Sequence, residues 1–491
     1  MKAILAIDQG TTSTRAIAFS LNGKKLFSSQ LEFKQYFPKN GWVEHDPEEI
    51  WKTTLKVVKN VINKCRKKNI KILTIGIANQ RETTIMWDKT IGKPVYKAIV
   101  WQDRRTEAFC QKLKKKNLEN KIRKKTGLFI DPYFSATKIK WIIENVKKTK
   151  KLLKNKKLLF GTIDTFLIWK LTGGTVHATD ATNASRTMLY NINNNNWDKE
   201  ILKILKISKN ILPEVKNTAD DYGFTNKSIV GESIPITGVV GDQQAAMIGQ
   251  CCFSKGSVKS TYGTGAFVLM NTGSKKINSK NKLLTTICYR INNKTTYALE
   301  GSIFTAGAGV QWLRDKIKLI NNAHDTEQII KSKKNNNGIY IVPAFTGLGA
   351  PYWNSRARGT ISGLTRNSDW KDIIRAMIES VAYQSYDLFR AMNNDGLKPK
   401  IVKIDGGMVS NNWFAQFLSD ILAVKVIRPT ISETTALGAA LIAGYQIGLY
   451  SSIHSISKKW KIDRKFTPKI KKKRRIELLK GWKQAIKRTL I

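Results

Sequence analysis

Apolar and polar positions along the chain alternate between two regimes. Short apolar runs of strand length end in polar turns, and between them lie longer stretches with apolar residues three and four apart. The first run, AILAI at 3–7, stops at Asp8, Gln9 and Gly10; Thr11, Thr12 and Ser13 follow, then Arg15 and a second apolar run. This pattern predicts a β-hairpin with a hydroxyl-rich tip, and KKLFSSQLEF a third strand. Asp46 and Pro47 predict the N-cap and first position of a helix, with Glu48 and Glu49 in its first turn. KILTIGIANQRETTIMWD reads as two strands around a polar break at 79–82. A parallel strand ending there would set Gln80, Arg81 and Glu82 at the carboxyl edge of a sheet, where ligands of open α/β sheets bind.

AIVWQDRR at 98–105 repeats the theme, and DPYFSATKIKWIIENV runs from a turn at Asp131–Pro132 into a helix. The basic stretch 144–157 predicts a solvated helix surface, and GTIDTFLIWKLTGG an apolar segment closed by glycines. IPITGVVGDQQAAMIGQ predicts strand, turn and small-residue helix. Near 250 the pattern restarts: GSVKSTYGTGAFVLMNTG is again strand, Gly/Thr turn, strand, and its tip at 261–265 echoes the opening tip. A hairpin around Asn292–Asn293, a helix from the glycine-rich GAGVQW, a helix over 369–393 and a strand–Asp-Gly-Gly–helix unit at 401–422 follow. KVIRPT and TTALGAALIAGYQIG give a short strand and a closing small-residue helix. The expected organisation is two related α/β domains, 1–249 and 250–491, with a ligand cleft between them. The tail from about 457 predicts a basic helix, either solvated or lying on a membrane surface.

Composition sharpens this in three ways. With 491 residues the chain exceeds one ordinary core, and 42% hydrophobic residues exclude disorder. No apolar run approaches a membrane span or a signal-peptide core, so a cytoplasmic protein is expected. The five cysteines are odd in number and show no C-x-x-C, which argues against a disulfide framework or zinc site; Cys251 and Cys252 read as small buried hydrophobes. The net charge of +49 first suggests nucleic acid. The excess is mostly Lys, spread through surface-type segments alongside abundant Asn and Ile, as in NINNNNW. Drift under A/T-rich coding produces that pattern without a polyanion partner, and no specific nucleic-acid partner is expected.

The turns carry the chemistry. Gly10 lets backbone approach a ligand closely, successive N–H groups form an anion nest, and the Thr and Ser hydroxyls donate to phosphate oxygens. Asp8 is placed to hold Mg²⁺ directly or through its waters. The chain has no G-x-x-x-x-G-K-[ST], no protein-kinase H-R-D and D-F-G set, and no dinucleotide G-x-G-x-x-G. Three separated turns remain, at 8–13, 261–265 and 405–407. Phosphoryl transfer needs a phosphate cradle, a metal and a base beside the acceptor hydroxyl, and two closing domains supply these while excluding water.

The segments DQGTTSTRA, GWVEHDPEEIW, NQRETT, AIVWQDRRT, DPYFSATKIKW, TNASRTML, GDQQAA, TYGTGAFVLMNTG, AFTGLGAPYW and DGGMVSNN resemble the FGGY carbohydrate kinases, in particular those that phosphorylate glycerol. The likeness runs from about 3 to 485, and YFSATKIKW and GTISGLTRNSDWKDIIRAMIES are similar to the two general signatures of that family. It implies two ribonuclease H-like domains of the actin-like ATPase superfamily with an interdomain catalytic cleft. It further implies ATP and Mg²⁺, glycerol as acceptor, sn-glycerol 3-phosphate as product, and a homo-oligomer, dimer or tetramer.

Carried over position by position, the resemblance implies glycerol contacts at Arg81, Glu82, Tyr133, Asp242 and Gln243, with Trp101 and Phe267 lining the carbon side. These residue types suit a small polyol, whose hydroxyls each donate and accept. Asp242 is the expected general base. Nucleotide contacts are implied at Thr11, Thr12, Ser13, Arg15, Thr264, Gly307, Gln311, Gly407 and Asn411, with Asp8 on the metal. One loop departs from the pattern. Members inhibited by fructose 1,6-bisphosphate carry a glycine-rich loop with an arginine before Ile-Pro-Ile; TNKSIVGESIPITG has one internal glycine before that segment, Glu232, and Ser233 where the arginine would stand. A bisphosphate needs that cation, so this feedback is expected to be weak or absent. The alternatives are a family kinase for another polyol or sugar, and a non-enzymatic actin-like ATPase or polyanion binder.

Overall fold

The computed structural model describes residues 1–354 and 356–491. The opening run forms β1 (Lys2–Gln9), returning as β2 (Ser13–Ser20) and β3 (Lys25–Glu32). Asp8 sits opposite Arg15 in the antiparallel β1–β2 ladder, and Gly10 N–H donates to the Ser13 carbonyl at 2.9 Å across the tip. On the other side of β1 lie β4 (Lys71–Asn79) and β5 (Ile236–Gly241), both parallel, giving the order β5-β4-β1-β2-β3. The parallel strands are covered on both faces, which is why they read as nearly unbroken apolar runs. Helix α1 (Pro47–Lys67) is capped by Asp46, whose carboxylate accepts from Glu48 N–H at 2.9 Å, and it lays Ile50, Val57, Val58 and Val61 into the sheet's core. The Asp131–Pro132 turn leads into α2 (Ser135–Asn145), and the apolar segment at 163–171 is a buried helix.

After β5 comes α3 (Asp242–Gly249). The second half is built from β6 (Val258–Tyr262), β7 (Ala266–Gly273), β8 (Leu284–Ile291), β9 (Lys294–Ile303), β10 (Ile401–Asp405), β11 (Lys425–Pro429) and β12 (Ile462–Phe466). Their order is β8-β9-β7-β6-β10-β11-β12. Its central five, β9-β7-β6-β10-β11, repeat β3-β2-β1-β4-β5 strand for strand, antiparallel on one side of β6 and parallel on the other. The repetition expected from the two tips is therefore a repetition of whole topology. Asn292 and Asn293 join β8 to β9 at φ 49° and 59°, as a two-residue hairpin turn requires.

The helices of the second half are α4 (Gly307–Asp315), α5 (Trp370–Asn394), α6 (Asn412–Leu422), α7 (Thr434–Gln446) and α8 (Lys472–Thr489). Helix α7 lies between β11 and β12 of the second sheet in sequence yet packs on the first. A Cβ on Gly76 of β4 would meet the Ala439 carbonyl oxygen at 2.0 Å. Helices α3 and α7 cross at backbone contact: a Cβ on Gly438 would lie 1.8 Å from Ala245 O, and one on Gly249 2.0 Å from Thr434 O. Only small residues allow that approach, so Gly438→Ala should push the helices apart and cost about 2 kcal/mol or more. Urea unfolding of the variant measures it, and an unchanged midpoint would count against the close crossing.

Helix α8 is docked rather than free. Its Trp482 stacks on Tyr383 of α5 at 5.4 Å, and the Trp482 indole N–H donates to Asp387 at 2.7 Å, while Leu478 and Ile486 join the second core. Among the described residues no helix is long and apolar enough to cross a membrane. All five cysteines are free and buried.

Candidate active site

At the carboxyl edge of the first sheet the chain leaves β4 through Gln80, Arg81 and Glu82. Glu82 takes a left-handed conformation, φ 61°, which costs a non-glycine residue about 1 kcal/mol or more. Three bonds hold it there, one of them from Thr84 Oγ1 to its carbonyl at 3.1 Å. Ser135 Oγ, from the first turn of α2, donates to its carbonyl at 2.9 Å, and Arg186 Nε donates to its carboxylate at 2.7 Å. Arg81 reaches across to the other half: Nη1 and Nη2 donate to the two oxygens of Glu300, on β9, at 2.7 and 3.0 Å. Its Nε faces Asp242 Oδ1 at 3.3 Å and Glu82 Oε1 at 3.9 Å. Arg186 Nη2 closes the ring on Glu300 at 3.1 Å.

Two arginines and two glutamates thus make a buried cage contributed by both halves. Burial opposes every one of these charges. For Glu300 the arginines outweigh burial and hold its carboxyl down to about 2; for Glu82 burial outweighs them and the carboxyl is raised. Burial also works against Arg81, but Glu300 and Glu82 keep it firmly protonated.

Asp242 is the first residue of α3, directly after β5, with its side chain 29% exposed. Its carboxylate accepts from Gln243 N–H at 2.7 Å and from the Gln243 side-chain Nε2 at 3.2 Å. The turn ahead of it is fixed by Gly241 N–H, which donates to Thr182 Oγ1 at 2.8 Å; that hydroxyl donates in turn to Asp180 at 2.8 Å. Thr182→Val keeps the shape but strands a buried N–H, so about 1–3 kcal/mol of stability should be lost together with activity. Denaturant titration beside a rate assay tests this. Trp101 lies edge-on to both Tyr133, at 5.7 Å between ring centres, and Phe267, at 6.2 Å, forming an apolar wall. Its indole N–H donates to Thr11 Oγ1 at 3.0 Å, tying the wall to the first tip. The seven expected acceptor residues are thus brought together.

The nucleotide side assembles from the second and third turns. Gly263 N–H closes the second tip onto Gly265 O at 2.9 Å. The tip's carbonyls then receive the start of α4: Gly307 N–H donates to Gly263 O at 2.9 Å and Ala308 N–H to Thr264 O at 3.0 Å. Gly406, at φ 94°, seats the third turn on the second, since a Cβ there would meet Tyr262 O at 2.5 Å. Between them opens a pocket of about 370 Å³ whose lining includes Thr264, Gly307, Gln311, Gly407 and Asn411, every nucleotide residue expected from the second half. Its far wall, His324, Thr326 and Glu327, was not anticipated from sequence. A second cavity, about 700 Å³, shares Gly407 and Ser410 and runs past Asp405 to Arg15. Of the first-tip residues only Arg15 lines it, paired with Glu433 and donating from Nε to Gln30 at 2.9 Å. Thr12 is exposed at the tip, Ser13 Oγ accepts from Gln30, and Thr11 turns toward Trp101.

Asp8 closes β1 beside this cavity. Burial pushes its carboxyl up to about 7, with Asp242 and Glu433 adding to the effect and Arg15 opposing it. Among the described residues no three His, Cys, Asp or Glu side chains gather as a metal cage. A single buried carboxylate with Asp242 and Glu433 near it fits Mg²⁺, which takes most of its ligands from phosphate and water.

Sequence reasoning missed Arg186, Glu300, Lys259 and Glu433. The available signal was a lone charge inside an apolar strand, as in TTYALEG and SVKSTY.

Two α/β halves of one topology, meeting at a buried polar cage, with a nucleotide-sized pocket in the second half, define the actin-like ATPase architecture. Family models for carbohydrate kinases of the FGGY family match at residues 3–249 for the N-terminal domain and 258–447 for the C-terminal domain. The chain belongs to the FGGY family of carbohydrate kinases. It is 53% identical to glycerol kinase 1 of Pseudomonas aeruginosa over 485 residues, covering 99% of this chain and 98% of that protein. It is 55% identical to the glycerol kinase of Rhizobium meliloti over 491 residues, covering 99% of each. The crystal structure of Plasmodium falciparum glycerol kinase with ADP superposes with a TM-score of 0.94 at 41% identity, covering 100% of this chain and 99% of that one. Gluconate kinase from Lactobacillus acidophilus, at 23% identity and a TM-score of 0.88 over 99% of this chain and 97% of its own, shares the fold.

Proposed function

We propose that the chain transfers the γ-phosphoryl group of ATP to glycerol, giving ADP and sn-glycerol 3-phosphate. The observation that carries this reading is the small acceptor site, where Arg81, Glu82, Asp242 and Gln243 face the wall of Trp101, Tyr133 and Phe267. Such a site offers donors and acceptors to three hydroxyls and an apolar surface to their carbons. Full-length relatives named glycerol kinase at 53–55% identity support it. Arg81 and Gln243 donate to glycerol oxygens, and Glu82 accepts. Asp242 takes the proton of the terminal hydroxyl as that oxygen attacks phosphorus. Thr264, Gly307, Gln311, Gly407 and Asn411 hold the nucleoside end; Thr11, Thr12, Ser13 and Arg15 face the phosphates. Asp8 would hold Mg²⁺, whose positive charge would offset that of the phosphates.

ADP release measured with glycerol, gluconate, xylulose or no acceptor tests the reading. Release that depends on glycerol is expected, and a preference for either sugar would replace it with another kinase of the family. The same reading places the protein in the cytoplasm as a dimer or tetramer, which light scattering measures for the assembly.

Regulation by fructose 1,6-bisphosphate is proposed to be weak or absent. The loop bearing Glu232 follows a short helix, Lys227–Val230, and Glu232 engages Arg66 at 2.7 Å. The nearby cation is thereby occupied, and an acidic group faces any phosphate that approaches. Half-inhibition should require more than about 1 mM bisphosphate; tighter inhibition in a steady-state assay would overturn this.

A further inference from the structure

Lys259 is a charged group of the site for which phosphoryl transfer, as described, has no use. It lies on β6, fully buried, and its ammonium reaches three acceptors: the Gln243 side-chain oxygen, Thr261 Oγ1 at 2.8 Å and the Phe267 carbonyl at 3.4 Å. An ammonium has three N–H donors and no acceptor, so its capacity is fully used. Each bond goes to a different part of the site. Gln243 belongs to the acceptor cage and comes from the first half, Thr261 opens the second tip, and Phe267 is part of the apolar wall.

A glutamine side chain carries an oxygen at one end of its amide and an NH₂ at the other, and its partners decide which way it points. A lysine can only donate, so the Gln243 oxygen must face Lys259. The NH₂ is then turned to Asp242, 3.2 Å from Oδ2. The reversed amide would set an oxygen against the Asp242 carboxylate and an NH₂ against the ammonium, losing both bonds.

We propose that Lys259 is a positioning residue that locks the Gln243 amide with its NH₂ toward Asp242 and the acceptor hydroxyl. The proposal rests on the glycerol-kinase reading of the site. Lys259 acts through Gln243, across the boundary between the halves, so the donor edge of the acceptor site is correct only when both halves are in register. Burial brings the Lys259 ammonium down to about 8; Asp405, Asp242 and Glu300 favour its charge and Arg81 opposes it. It therefore remains a donor at neutral pH.

The test uses the full chain with glycerol and ATP varied separately. Wild type must first show glycerol-dependent ADP release; if it does not, the underlying reading fails and not this one. Lys259→Met should raise the glycerol KM about tenfold, the worth of one oriented hydrogen bond, with the ATP KM within about twofold. Lys259→Arg, which restores a donor, should recover part of the loss. Lys259→Met combined with Gln243→Ala should be no worse than Gln243→Ala alone, because both remove one device. An unchanged glycerol KM, an equal rise in both KM values, or additive effects would each overturn the proposal. Should Lys259→Met not fold, Lys259→Gln takes its place, a neutral side chain that no longer dictates which end of the Gln243 amide faces it. An unchanged glycerol KM in that variant refutes the proposal, and a rise in the glycerol KM with the ATP KM steady upholds it.

Discussion

Asp242→Asn should lower kcat by about 10²–10⁴-fold, the usual range for removing a general base, if Asp242 is the base proposed above, with a much smaller change in the glycerol KM. The reason lies in how the side chain is held. The donors beside it are Gln243 N–H, Gln243 Nε2 and, at 3.3 Å, Arg81 Nε, so its orientation is set before substrate arrives. Asparagine keeps the shape and one carbonyl oxygen, so glycerol is still seated. It cannot take the hydroxyl proton, and the attacking oxygen stays a poor nucleophile. Steady-state kinetics across a range of glycerol separates the two effects. A variant with near-normal kcat would show that Asp242 only orients the hydroxyl.

The second large effect concerns stability. Glu300→Gln removes the carboxylate shared by Arg81 and Arg186 at the junction of the two halves, leaving Glu82 between them and the partly exposed Asp242 beside Arg81 Nε. Breaking a buried ion-pair network by neutralising one member typically costs about 3–5 kcal/mol, because the remaining charge is neither solvated nor paired. The urea midpoint should fall accordingly, and the glycerol KM should rise because Arg81 loses the clamp that aims its Nε. Pairing the change with Arg186→Met restores the balance of charge. The double variant should regain much of the stability without regaining glycerol affinity, since Glu82 then lacks its Arg186 bond. A Glu300→Gln midpoint equal to wild type would show that the four charges are not energetically coupled.

Much of this molecule was legible in its sequence. The strand–tip–strand pattern, the Asp46–Pro47 helix start and the restart near 250 correspond to β1–β2, α1 and the second sheet, because each depends on local periodicity and turn chemistry. The acceptor and second-half nucleotide residues were reached through long family-like motifs, and they converge on one cage and one pocket. Contacts between distant segments were not legible. Arg81 and Glu300 are 219 residues apart, and nothing local to TTYALEG says that its glutamate faces an arginine rather than solvent. The placement of α7 was hidden for the same reason. The sequence predicted a small-residue helix there, but its close approach to Gly76 and Gly249 follows only from the folded topology. The docking of the tail helix through Trp482 on Tyr383 and Asp387 was hidden in the same way.

The cage has a consequence for how such enzymes can be re-engineered or can diverge. Arg81, Glu82 and Tyr133 come from one half, and Phe267, Lys259 and Glu300 from the other. A recombination joint between the two halves, the natural seam for shuffling, would cut through the substrate pocket itself. A chimera carrying one half of another family member would keep only half of this chain's cage and wall residues. A change of substrate in this architecture therefore proceeds by matched substitutions on both sides of the seam.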